Sequence, residues 1–274
     1  MWESERNNAV RLCEIRRFPG GSFVRIIISP AKKMNEDDSL EPRSLPQYLE
    51  QTEQLRTALC ALSGPELQRL WNCNSQIATL NERRLRTMDL RRRLTPAVLA
   101  YDGIQYRHMA PGVFTDGEFR YIEEHLRILS GFYGMLRPLD GVTPYRLEMQ
   151  AKLSGEGFGS LYEFWGGRLA AQLAGETKVI LNLASKEYSR AVAGQLPEEV
   201  RLITCVFGEW KDGRILEKGT QCKMARGEMV RYLAEQHIRT PEGAKGFRRL
   251  NYRFSPELSG EDRFVFLRYP DRLL

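Results

Sequence analysis

Histidine is scarce in this chain. His108, His125 and His237 are the three histidines in 274 residues, and none stands at a metal-binding spacing from another ligand. The five cysteines, Cys13, Cys60, Cys73, Cys205 and Cys222, are odd in number and contain no C-x-x-C pair. A disulfide framework and a zinc site are therefore not expected, and a reducing cytoplasm is the natural home. The sequence has no P-loop, no G-x-G-x-x-G and no Ser-His-Asp signature. Its longest apolar strand-like run, Val24 to Ile28, falls far short of the roughly 18 to 20 residues that span a bilayer. No metal, no cofactor and no membrane partner are expected. Internal repeats, low-complexity tracts and a clean interdomain linker are also missing, so the chain reads as one domain.

What is present is a core and a basic surface. Hydrophobic residues make up 42% and charged residues 28%, an ordinary balance for a globular chain. Arginine outnumbers lysine 32 to 9, and the formal net charge is +6. Such a balance favours an anionic partner, nucleic acid first. A GC-rich genome, which encodes arginine readily, accounts for the same excess equally well.

Residues 1–23 are polar and without a clear period, and they carry no signal-peptide core. They are expected to be a non-native or disordered N-terminal extension, because Val24 suits a GTG start and opens the first strand. The domain proper is then 24–274. Val24 to Ser29 reads as a buried strand ended by Pro30. Helices are expected at Gln47 to Leu62, Glu66 to Cys73, Gln76 to Met88, Glu118 to Leu129, Leu161 to Leu173, Ser185 to Val192 and Lys223 to His237. Strands are expected at Lys178 to Leu183, Val200 to Phe207, Arg248 to Phe254 and Arg263 to Tyr269. A hairpin is expected at Asp212-Gly213. The alternation argues an α/β fold, a single compact domain with a mixed β-sheet flanked by helices.

The chemistry-bearing residues cluster in loops. The stretch Leu129-Ser130-Gly131-Phe132-Tyr133-Gly134-Met135-Leu136-Arg137-Pro138-Leu139-Asp140, followed by Pro144 to Met149, is punctuated by Gly and Pro. There it offers Arg137 and Arg146 as two bidentate donors, with Glu148 to hold one of them. A buried turn with an Arg–Glu pair explains the same residues. Ser29, Lys32 and Lys33 leave the first strand; Asn182, Ser185 and Tyr188 lie at the end of another. In open α/β sheets ligands gather outside the carboxyl ends of strands, so these residues are expected to border one cleft. Ser185 suits a helix cap better than a ligand, whereas Lys32 is a natural anion ligand. Lys223 and Arg226 at the opening of a late helix would make a phosphate site, or simply two solvated charges. Ser63-Gly64-Pro65 joins two helices with the size of a helix-hairpin-helix turn, although most such turns are connectors.

Several of these strings resemble the bacterial YaaA family of peroxide-stress proteins: Ile28-Ser29-Pro30-Ala31-Lys32, His125 to Gly131 running through Asp140, Pro144 to Met149, Tyr162 to Gly166, Asn182 to Tyr188, and Ala225-Arg226-Gly227. The resemblance covers about residues 24–270. It implies a compact α/β fold with a basic cleft and a helix-hairpin-helix. It further implies a cytoplasmic protein that binds DNA without sequence preference and limits iron-dependent peroxide damage; the chain is expected to be a monomer. Departures are Lys33 for a small polar residue, Tyr101 to Gln105 as a variant stretch, and Met224 for a basic residue. The alternative is an enzyme that uses the same cleft on a phosphorylated or nucleotide-like small molecule. Direct iron sequestration has no evident ligand set.

Overall fold

The computed structural model describes residues 23–269. The expectation for the N-terminal extension lies outside the described residues, apart from Phe23. An eight-stranded mixed sheet forms the frame. Its strands are β1 (Arg25–Ile28), β2 (Leu126–Ser130), β3 (Gly134–Leu136), β4 (Val179–Leu183), β5 (Arg201–Lys211), β6 (Arg214–Leu216), β7 (Tyr252–Phe254) and β8 (Arg263–Arg268). They run in the order β7-β8-β5-β4-β1-β2-β3, with β6 pairing β5. The five inner strands are parallel, while β3, β6 and β7 join antiparallel. β1 is Arg-Ile-Ile-Ile and its isoleucines are fully buried. It needs that composition because neighbours flank it on both sides and helices cover both faces.

Helices α1 (Leu49–Cys60), α2 (Gly64–Trp71), α3 (Ser75–Thr87), α4 (Ile104–Met109) and α5 (Asp116–His125) all lie between β1 and β2. Helices α6 (Arg168–Glu176), α7 (Lys186–Ala193) and α8 (Gly219–Glu235) follow, with further short helices between them. β2 lies on one side of β1 and β4 on the other. The chain therefore reverses its direction of travel across the sheet at β1. The crevice outside the carboxyl end of β1 is the switch point where open α/β sheets hold ligands.

Four expectations need correcting. The helix expected from Glu118 to Leu129 ends at His125, and Leu126–Ser130 is a fully buried strand parallel to β1. A short apolar run fits either period, and burial on both faces decides for the strand. The helix expected from Leu161 to Leu173 breaks at Gly166-Gly167, where Gly166 has φ +47°. The strand expected from Arg248 begins only at Tyr252, after a short 3-10 turn at Arg249–Asn251. Finally, α8 begins at Gly219, not Lys223. By contrast, Asp212 and Gly213 both have positive φ, as the turn of a tight hairpin requires.

The Gly-rich stretch is a packing device. Every residue from Leu129 to Leu136 is buried. Trp165 donates its indole N–H to the Gly131 carbonyl at 3.0 Å. Gly134 has φ +74°, and a Cβ there would sit 2.6 Å from the Trp165 ring. A Cβ on Gly131 would meet the Leu147 carbonyl at 2.6 Å. The punctuation thus lets the backbone press against Trp165 and the following loop.

Candidate functional site

A cleft of about 400 Å³ opens at the switch point. Its base is made where two strand ends meet. Ser29 follows β1, and Ser185 precedes α7 after β4. The backbone N–H of Ser185 donates to Ser29 Oγ at 2.8 Å, and that hydroxyl donates to Ser185 Oγ at 3.2 Å. Ser185 stands at the N-cap position of α7, yet its side chain makes no capping bond. The expected capping role therefore gives way to a contact across the strand ends. Tyr106 on α4 donates to the Ser29 carbonyl at 2.9 Å, fixing the loop from the other side.

The cleft walls carry charge in two arrangements. In the first, cations are already paired. Lys32 Nζ and Arg146 Nη2 approach the same oxygen of Glu148, at 3.2 and 3.3 Å. Lys33 Nζ and Arg107 Nε hold the two oxygens of Asp102 at 2.5 and 2.9 Å. Those hydrogen bonds depress the Asp102 carboxyl to about 2. Burial raises the Glu187 carboxyl, and the nearby Glu148 adds to the effect. In the second arrangement, on α8, Lys223 and Arg226 line the cleft one helical turn apart. Among the described residues neither forms a salt bridge. Burial depresses the Arg226 guanidinium, and its buried Nε has no hydrogen-bond partner. The buried amide nitrogen of Gln105, another lining residue, is likewise without a partner.

Of the sequence-derived site residues, Ser29, Lys32, Lys33, Arg146, Glu148, Ser185, Tyr188, Lys223 and Arg226 line this one cleft. Two do not. Asn182 is buried within β4, where it donates to Thr204 Oγ1 at 3.2 Å and accepts the Ala184 N–H at 2.9 Å. It splices strands instead of facing a ligand. Arg137 follows β3, whose antiparallel register carries it back toward Arg127 and the amino end of the parallel strands. There its backbone N–H donates to Asp140 at 2.8 Å, and Arg137 is not among the residues that line the cleft. A single reversal of strand direction separates the two arginines that sequence adjacency had joined. Lys223 also lies inside α8 and not at its start, so the helix dipole neither favours nor opposes it strongly.

The helix–turn–helix at Ser63-Gly64-Pro65 is a capping box. Glu66 accepts the Ser63 N–H at 2.8 Å, and Glu82 lies 2.9 Å from where a Gly64 Cβ would stand. Asp102, Gln105, Tyr106 and Glu187 are cleft residues that the sequence reading passed over. The variant stretch Tyr101 to Gln105 holds Asp102 and Gln105, the segment Asn182 to Tyr188 holds Glu187, and Tyr106 lies outside both.

Among the described residues no helix is long and apolar enough to cross a membrane, and no three His, Cys, Asp or Glu side chains are grouped to hold a metal.

Fold and site together define an α/β protein with a cationic cleft at the switch point of a mixed sheet. Residues 24–258 match the family model described as "Peroxide stress protein YaaA". The chain is 54% identical over 246 residues to a UPF0246 protein of Lachnoclostridium phytofermentans, covering 89% of this chain and 96% of that one. It is 53% identical to a UPF0246 protein of Desulfitobacterium hafniense over 246 residues, 89% of this chain and 98% of the relative. A UPF0246 protein of Pediococcus pentosaceus is 47% identical over the same span and shares. The chain belongs to the YaaA family of peroxide stress proteins.

Proposed function

We propose that this protein acts in the cytoplasm as a monomer that binds DNA without reading its sequence and thereby limits iron-dependent oxidative damage. Membership of a peroxide-stress family supports the oxidative-stress role. The observation that carries the DNA reading is the pair Lys223 and Arg226, two cations in one cleft that form no salt bridge among the described residues. An arginine desolvated without a partner is costly, and an incoming phosphate offsets that cost with bidentate hydrogen bonds. Lys32, Lys33 and Arg146 add to the local field although each is paired, and the net charge of +6 draws the polyanion in. Such contacts go to phosphate and carry no sequence information. The Ser63-Gly64-Pro65 turn takes no part in this footprint, because a phosphate approaching it meets the Glu66 and Glu82 carboxylates.

Fluorescence-anisotropy titrations of unrelated duplexes at several salt concentrations test the reading. Replacing Lys223 and Arg226 together with Ala is expected to weaken binding about equally on every sequence. It also flattens the log-affinity against log-salt slope by about two units. An unchanged slope removes the pair from the footprint.

A second reading is an enzyme acting on a phosphorylated or nucleotide-like small molecule. It is favoured by Glu187, a cleft carboxyl raised by burial toward the range where a general acid or base works. Stoichiometric nucleotide binding with no DNA binding at low salt selects this second reading.

A further inference from the structure

We propose that Lys223, Arg226, Gln105 and Ser185 form a subsite for one terminal phosphomonoester, the phosphorylated end of a DNA strand or of a free nucleotide. The inference rests on the phosphate-binding reading of the cleft and narrows it from a run of backbone to a single group.

Charge matching is the first argument. Cations lining the cleft are Lys32, Lys33, Arg146, Lys223 and Arg226, and the acids are Asp102, Glu148 and Glu187. Asp102 and Glu148 are bound by Lys33, Arg107, Lys32 and Arg146, which leaves the two cations on α8 without an ion-pair partner among the described residues. An internal phosphodiester brings one negative charge. A phosphomonoester brings about 1.5 to 2 at neutral pH, with three acceptor oxygens. Two free cations one helical turn apart suit the second. Glu217 is the acidic group whose field reaches Arg226, and it forms no ion pair with it.

Size and shape make the second argument. A cleft of about 400 Å³ has the volume of a small-molecule site. A length of duplex lies across the mouth of such a space and brings a backbone phosphate to it, whereas a chain end enters it. Asp102 and Glu148 already hold Lys32, Lys33 and Arg146, so a second phosphate meets only paired cations there. Hydroxyl and amino groups of a nucleotide, by contrast, are donors that Glu148 and Glu187 accept.

Unused donors make the third. The buried Gln105 amide nitrogen and Arg226 Nε lack partners. Ser185 Oγ accepts from Ser29 and has no acceptor for its own proton among the described residues. A hydroxyl with an unused proton beside a guanidinium that forms no ion pair is a ready donor for a phosphate oxygen. Close packing holds these donors in place. A Cβ on Gly227 would lie 2.1 Å from the Gln105 carbonyl, so α8 and α4 are pressed together beside Arg226. Such a site is fixed before the ligand arrives.

The test uses the full chain and four probes: inorganic phosphate, a nucleoside 5′-monophosphate, and one short blunt duplex with either 5′-phosphate or 5′-hydroxyl ends. Calorimetry is expected to give one site for phosphate and for the monophosphate. The phosphorylated duplex is expected to bind about tenfold tighter than its hydroxyl twin. Inorganic phosphate is expected to erase that difference while leaving the hydroxyl duplex bound. Arg226→Ala removes the end preference, Arg226→Lys restores part of it, and Lys223→Ala, at an exposed position where the fold is not at risk, weakens it. If both duplexes bind equally and neither small probe binds stoichiometrically, the subsite is overturned while non-specific DNA binding stands. If the monophosphate binds at one site and neither duplex binds, the subsite stands for a free nucleotide and the DNA reading falls.

Discussion

The backbone N–H of Ser185 donates to the hydroxyl of Ser29 at 2.8 Å, joining the carboxyl ends of two neighbouring parallel strands. The two residues are 156 positions apart in sequence, and β1 and β4 bring them together in register. The contact shapes the base of the cleft from backbone, so it is rigid before anything binds. Ser29→Ala leaves that N–H without its acceptor, and a loss of about 1 to 2 kcal/mol in urea unfolding is expected. Phosphate or DNA affinity falls with it. Unchanged stability and unchanged affinity together would show that the strand ends hold their spacing without the serine.

Glu148 neutralises Lys32 and Arg146, and the Arg146 side chain is only 10% exposed. Glu148→Gln leaves that guanidinium buried without its carboxylate, a loss of about 3 kcal/mol on the scale of broken buried pairs. The same change adds one positive charge to the cleft. DNA affinity at low salt is therefore expected to rise while stability falls, with a steeper salt dependence. Thermal unfolding and anisotropy measured on the same variant separate the two effects. Parallel losses in both would mean that Glu148 serves the fold alone.

The β-branched run of β1, the Asp212-Gly213 hairpin and the loops ending in Ser29 and Ser185 were legible because each is a local pattern. The parallel-sheet rule then placed both loops at one crevice. Arg137 was misjudged because strand direction is not local. Three residues of β3 run antiparallel to β2 and carry the chain to the other end of the sheet. Leu126–Ser130 was misjudged because apolar spacing suits helix and strand alike until its neighbours are known. Gln105 shows only as the end of the variant stretch from Tyr101, and Tyr106 carries no signal of its own. They belong to the cleft because Gly227 lets α8 approach α4, a contact that spans more than a hundred residues of sequence. Which cations are paired is invisible in composition, and it is the pairing that singles out Lys223 and Arg226.

Gly134→Ala tests the packing role of the Gly-rich stretch. The position has φ +74°, and an added Cβ would lie 2.6 Å from the Trp165 ring. Left-handed backbone costs a residue with a Cβ about 1 to 2 kcal/mol, and overpacking adds about 1 to 3. A loss of about 3 kcal/mol in denaturant unfolding is expected. Gly157→Ala is the control, since φ is +79° but nothing lies within 4 Å. It should show the backbone cost alone. Equal losses at the two sites would remove the Trp165 contact from the account.

Asp102 governs the acid limb of stability at the cleft mouth. Its carboxyl is held at about 2, against an ordinary 3.8, by hydrogen bonds from Arg107 and then Lys33. A carboxyl depressed in the folded state binds fewer protons there than in the unfolded chain, so its stabilisation is complete above the ordinary value. It fades as pH falls from about 4 and is gone below about 2. Lys33 and Arg107 are well exposed, 66% and 68%, so salt also screens the contribution. Unfolding of the native chain and of Asp102→Asn should be followed by urea titration from neutral pH into this window. The native chain should be the more stable at neutral pH, and the gap should close across that interval and shrink in high salt. Other carboxylates titrate in both proteins and cancel in the difference. A gap that persists unchanged below pH of about 2 would mean that Asp102 stabilises the loop through shape and not through its charge.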